Sequence, residues 1–232
     1  LADGVREGRK TYANMMKYIK ITASSNFGNM FSVLIASALL PFLPMTSVQL
    51  ILLNLVYDLS CVALPWDNVD EELLKKPAEW DSSSVRRFMF CFGPVSSLFD
   101  VATFAALYFI VCPAVCGAPF SALGGAEAAL FVAVFQTGWF IESMFTQSLV
   151  VHTLRSRKLP FAGSRASRQV LLSTFAGILV LTAVPYTPMG AWLGLRPMSG
   201  GYFVLLFAIV AGYFLLATAI KALYVKKFGK LL

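Results

Sequence analysis

The chain has 232 residues, of which 58% are hydrophobic and 13% charged, and its mean hydropathy is +0.72. Soluble globular domains carry about 45–50% apolar and about 25% charged residues, so composition excludes an ordinary soluble fold for most of the chain. The net charge of +7 does not point to nucleic acid, because the basic residues flank apolar runs and are not interleaved with stacking aromatics on a polar surface.

Crossing about 30 Å of hydrocarbon takes about 20 apolar residues in a helix. Runs of that length predict an all-α membrane bundle of six transmembrane helices, at roughly 18–40, 46–66, 87–112, 128–151, 169–186 and 202–225. Residues 1–17 are polar and basic and read as a cytoplasmic stalk; 18–225 form the transmembrane domain and 226–232 a cytoplasmic tail. With neither an initiator Met nor a signal peptide, the sequence reads as beginning mid-protein.

The first run carries Thr22, Ser24, Ser25, Asn26, Asn29, Ser32 and Ser37. A lipid-facing helix does not tolerate that load, so this helix is expected to face protein or an aqueous site. Asn26 and Asn29, three apart, share a helical face, and Gly28 between them lets a neighbour approach. The blander account is ordinary interhelical hydrogen bonding.

In the second run Asn54 precedes Asp58 by four residues, so amide and carboxylate project from one face. An Asp at the bilayer centre costs at least about 2.5–3.5 kcal/mol, which makes function the default reading. Such hard oxygens suit Mg²⁺ or Ca²⁺. After Trp66, placed for an interface, the segment 67–84 alternates acids and bases around Pro77 and reads as a solvated loop.

Asp100 lies midway along the third run and Glu142 within the fourth. Each is a candidate ion ligand, with a structural interhelical hydrogen bond as the alternative, evenly balanced for Glu142. Trp139 reads as packing, Gln49, Gln136 and Gln147 as interhelical glue, and His152 as a capping or interfacial residue. Cys61, Cys91, Cys112 and Cys116 are not spaced for zinc and have one histidine to join them. A Cys112–Cys116 disulfide would fit an oxidising compartment, but two incidental small apolar residues are the favoured account. The sequence has no phosphate-binding loop, HExxH or Ser/His/Asp set.

Of the 19 Lys and Arg residues only Arg196 falls outside the N-terminal segment as far as Lys20, the second-to-third and fourth-to-fifth connections with their flanks, and the tail from Lys221 on. The opposite connections, 41–45, 113–127 and 187–201, are rich in Pro, Gly and Ala and read as tight extracytoplasmic turns. The positive-inside rule then puts both termini in the cytoplasm, as an even number of spans requires.

Gly8-Arg9-Lys10-Thr11-Tyr12-Ala13-Asn14-Met15-Met16-Lys17-Tyr18 resembles the stalk of the fifth transmembrane helix of P-type cation ATPases. Gln49-Leu50-Ile51-Leu52-Leu53-Asn54-Leu55-Val56-Tyr57-Asp58 resembles the family's sixth-helix ion motif, and the six runs resemble helices five to ten. Tyr57-Asp58 followed by Leu64-Pro65-Trp66-Asp67-Asn68-Val69-Asp70 is most similar to the bacterial magnesium-importing group, whereas calcium pumps have Thr in place of Tyr57 and Glu in place of Asn29.

The resemblance implies a translocase that imports Mg²⁺ across the bacterial inner membrane. Asn26, Asn29, Asn54, Asp58 and Asp100 would be ion-site candidates, and Glu142 a further one. The phosphorylated Asp, the ATP-handling domains and a fourth-helix set of ligands would lie outside this chain, so ATP would be a partner only through those domains. A secondary cation transporter or channel, or an inert membrane fragment, are the rival readings.

Overall fold

The computed structural model describes residues 2–75, 77, 80–160, 163–229 and 231. Lys76 and Lys230, included above among the topology cations, lie outside the described residues. Helix α1, Ala2–Leu39, is unbroken for 38 residues. At about 1.5 Å per residue it is about 57 Å long, nearly twice the hydrocarbon thickness, so stalk and first expected span are one rod.

Helix α2, Ser47–Cys61, begins on a capping box: the Thr46 side chain accepts from the Gln49 N–H, and Gln49 Oε1 accepts from the Thr46 N–H at 2.9 Å. It ends in a 3₁₀ turn, Leu64–Trp66, followed by the short α3, Glu71–Lys75. Asp81 caps α4, Ser82–Ala106, which continues through a π-helical turn, Leu107–Val111, into α5, Cys112–Cys116, and stops at Gly117 in a left-handed conformation (φ 79°). Then come α6, Gly125–Leu154; α7, Arg168–Ala183; the short α8, Pro188–Trp192; and α9, Gly200–Phe228.

Among the described residues five segments are long and apolar enough to cross a membrane: Ser47–Trp66, Ser82–Cys116, Gly125–Leu154, Arg168–Tyr186 and Gly200–Phe228. Six were expected. The first fails because its hydroxyls and amides lower its hydropathy, although it is long enough. Helix α6 is the hub: 67% of its most apolar stretch is buried, against 22–39% for the other four. An apolar surface all round is what a central helix requires.

Helix α1 lies along α4. A Cβ on Gly28 would collide with Ser96 and lie 3.0 Å from the Gly93 carbonyl, and one on Gly93 would lie 3.3 Å from the Ser24 carbonyl. Ser97 Oγ donates to the Gly28 carbonyl at 3.0 Å across that approach. Small residues at the crossing let the backbones close up, as membrane helices do when lipid leaves no hydrophobic drive between them. Helix α7 packs on α2 and α6, and α9 on α6 and α4.

The basic end of the bundle corrects the expectation of a solvated loop at 67–84. Asp67 is 0% exposed. Its Oδ2 accepts from Lys17 Nζ at 2.9 Å and Arg155 Nε at 2.8 Å, and its Oδ1 accepts from the Ser167 N–H at 3.0 Å. Asn14 Nδ2 holds the backbone on either side through the carbonyls of Pro65 (2.8 Å) and Asp67 (3.0 Å). One carboxylate thus joins α1, the chain after α2, the end of α6 and the cap of α7.

Burial pushes the Asp67 carboxyl up, but the Arg155 hydrogen bond and the Lys17 and Arg155 charges more than offset it and hold it below the usual carboxylate range. Burial also pushes the Lys17 ammonium below the usual lysine value, against the pull of Asp67. Such a buried pair can be in the ionised or the neutral state. Three donors converging on Asp67 at 2.8–3.0 Å favour the ionised one.

Two other cations that read as topology signals are buried as well. Lys20 Nζ donates to Ser84 Oγ (2.8 Å) and the Leu231 carbonyl (3.1 Å). Lys221 Nζ donates to the carbonyls of Thr153 (2.8 Å), Ser156 (3.2 Å) and Lys158 (2.8 Å) at the end of α6.

Candidate ion site

The sequence-derived candidates fall into two groups. On the outer face of α1 and α2, Asp58 and Asn26 are exposed and Asn54 is half-buried, with its Oδ1 buried and accepting no hydrogen bond. The Asp58 side chain makes neither a hydrogen bond nor an ion pair among the described residues, while its backbone carbonyl accepts from the Val62 N–H at 3.0 Å. Its neighbour Tyr57 is fully buried and shares a 2.9 Å hydrogen bond with Ser25 Oγ, which ties this part of α2 to α1.

The second group is interior. Asp100 is 3% exposed; its Oδ2 accepts from Ser32 Oγ of α1 at 2.6 Å and its Oδ1 from Trp139 Nε1 of α6 at 2.9 Å. Asn29 Oδ1 accepts from Gln147 Nε2 of α6 at 2.9 Å. Asn29 and Asp100 line one cavity of about 10 Å³, together with Ser24, Ser25, Ser96 and Gln147. That is room for about one water.

Asn26, Asn54 and Asp58 do not line this cavity. Glu142 is buried beside Asp100, close enough for the carboxyls to interact, yet neither of its oxygens meets a donor in hydrogen-bond geometry. Burial and the absence of a partner come from packing of α6 on all sides, which no spacing rule announces.

Trp139 does more than pack: its indole N–H is a ligand of Asp100. Ser32 and Trp139 give no local signal of that role, because their shared partner lies 68 and 39 residues away in the chain. Gln49 and Gln136 do act as glue. Gln49 Nε2 donates to the Leu193 carbonyl (2.8 Å) and Gln136 Oε1 (3.3 Å), and Gln136 Nε2 donates to the Leu43 carbonyl (2.9 Å).

Chemically, these groups can hold a hard cation and little else. Among the described residues no three His, Cys, Asp or Glu side chains gather as a metal cluster, and all four cysteines are free thiols. Isolated carboxylates with amide and hydroxyl oxygens suit Mg²⁺, which binds through one or two carboxylates while keeping much of its water.

Residues 42–223 match the family model described as cation transporting ATPase, C-terminus. The chain belongs to this family. It is 46% identical over 230 residues to the magnesium-transporting ATPase, P-type 1, of Salmonella typhimurium, and 44% identical over 229 residues to the protein of the same name in Escherichia coli K12. In both comparisons 99% of this chain is covered but only 24% of the relative, so the chain spans about a quarter of their length. A calcium-transporting ATPase of Bacillus subtilis is 29% identical over 112 residues, covering 48% of this chain and 13% of its own. Family membership and five membrane-length apolar helices among the described residues fit a multi-pass membrane protein.

Proposed function

We propose that this chain carries the ion path of an ATP-driven Mg²⁺ transporter, importing Mg²⁺ across a bacterial inner membrane. ATP is handled by parts of the protein beyond the matched quarter. The identity to relatives named for magnesium spans nearly the whole chain, while that to the relative named for calcium spans about half. Helix α1 is the sixth span: its Thr22, Ser24, Ser25 and Ser32 are buried, so most of its hydroxyls are turned toward protein, while Asn26 and Ser37 are exposed. Six spans return both ends to one side, and the concentration of cations there makes that side cytoplasmic.

Asp58 carries the reading. An ionised carboxylate without a protein donor, exposed on the last turn of α2 within the apolar segment Ser47–Trp66, is expensive against lipid. A divalent cation would neutralise it, with the Asn54 amide one turn earlier as a neutral ligand, and the α1 amides would serve further along the path, Asn26 on the exposed side and Asn29 at the inner cavity. Further protein covers this face in the intact transporter. Asp100 adds charge to the path directly or through a water, and Glu142 is a further acid beside it. The stalk end of α1 transmits domain motion to the site through the Asp67 network. Replacing Asp58 by Ala in the full-length protein should abolish Mg²⁺ uptake into proteoliposomes; uptake at the wild-type rate would remove the assignment.

A further inference from the structure

Gln147 has a task that interhelical glue does not explain. It is 4% exposed and lines the interior cavity with Asn29 and Asp100. Its Nε2 donates to Asn29 Oδ1, but its own Oε1 is buried and accepts no hydrogen bond, and Asn29 Nδ2 is buried without an acceptor. A buried amide left half-satisfied carries the full desolvation cost of the unmade bond.

Four of the other polar groups around the cavity are already engaged. Ser25 is bonded to Tyr57, Ser96 donates to the Gly93 carbonyl at 2.8 Å, and Thr146 donates to the Glu142 carbonyl at 3.1 Å. Asp100 has a donor on each oxygen. Among the described residues the Gln147 carbonyl oxygen is a buried acceptor left free at this cavity.

We infer that Gln147 supplies a neutral oxygen to the transported divalent cation at this inner cavity and sets selectivity there. The inference rests on the cation-transport reading above. One end of the amide orients Asn29, and the other offers an uncharged ligand beside Asp100. Few carboxylates and added neutral oxygens suit Mg²⁺, which gives up its water reluctantly, whereas an added carboxylate raises the charge of the site and favours Ca²⁺.

The test uses the full-length transporter in proteoliposomes, with Gln147→Leu, Gln147→Glu and Asp58→Ala compared to wild type. Gln147→Leu should raise the Mg²⁺ concentration for half-maximal ATPase activity by about tenfold. Gln147→Glu, nearly the same shape, should lower by about tenfold the Ca²⁺ concentration that inhibits Mg²⁺ uptake. Asn29 can turn its amide to donate to the new carboxylate, so this variant carries the test even if the leucine variant does not fold. A Gln147→Glu variant with wild-type Mg²⁺ dependence and wild-type Ca²⁺ inhibition overturns the inference. If Asp58→Ala loses uptake in that same experiment, the transport reading survives; if it transports normally, that reading falls as well.

Discussion

Asp58 and Asp67 stand nine residues apart at the end of one apolar run, yet the fold treats them in opposite ways. Asp67 is sealed from solvent and surrounded by donors from α1, α6 and the cap of α7. Asp58 is exposed, with no donor among the described residues. A carboxylate saturated by the protein is architecture, because nothing remains for a ligand to satisfy. A carboxylate kept bare within an apolar segment needs something from outside the chain. Asp100 is intermediate: two neutral donors, no cation, and a cavity beside it.

The comparison is broken most directly at Asp67. Asp67→Asn leaves two buried cations facing a neutral group, and removing one member of a buried ion pair costs about 3–5 kcal/mol. That should appear as a large drop in melting temperature of the detergent-solubilised protein, and a change of under about 1 kcal/mol would deny the network its structural role. The same carboxylate sets an acid limit. Its folded pKa lies below its unfolded value, so its stabilisation is complete above the unfolded carboxylate range, near 4, and is lost as pH falls through the folded value. Melting temperature followed downward from neutral pH should stay level until about pH 5 and then fall, and the fall should shrink in Asp67→Asn.

Asp100→Ala should cost about 1.5–3 kcal/mol, the scale of a hydrogen bond to a charged group, read as denaturant midpoint. A neutral outcome would mean that the Ser32 and Trp139 contacts contribute nothing to holding α1, α4 and α6 together. Smaller again is Gln49→Leu, at about 1 kcal/mol for a neutral hydrogen bond, measured the same way. At the bottom of the scale, Asp58→Asn in Mg²⁺-free buffer should fall within about 0.5 kcal/mol of wild type. A loss comparable to that of Asp67→Asn would show that Asp58 is architecture too.

Much of this was legible in the residues. Apolar length located every long helix after the first, and the Ser, Thr and Asn load of α1 required a protein-facing surface, which Ser24, Ser25, Gly28 and Ser32 supply. Gly28 foretold the close approach of α4. The Asp67 network was not legible. Lys17 and Arg155 read as topology cations and Asp67 as a loop acid, and their pairings span 50 and 88 residues with no periodicity to relate them. The candidate ion residues were recognisable as costly polar groups in apolar runs. Their division between an outer face and an inner cavity depends on how α6 threads the bundle, and pair spacing within one helix does not encode that.

The central claim is that Asp58 is kept free of protein partners to meet a divalent cation. Thermal unfolding of the full-length transporter without nucleotide, with and without Mg²⁺, tests it for wild type and Asp58→Asn. A ligand that binds only the folded state raises its stability according to its concentration and affinity. The account predicts equal melting temperatures without Mg²⁺, a clear upward shift with Mg²⁺ in wild type, and little or no shift in the variant. An equal Mg²⁺ shift in both proteins would contradict it.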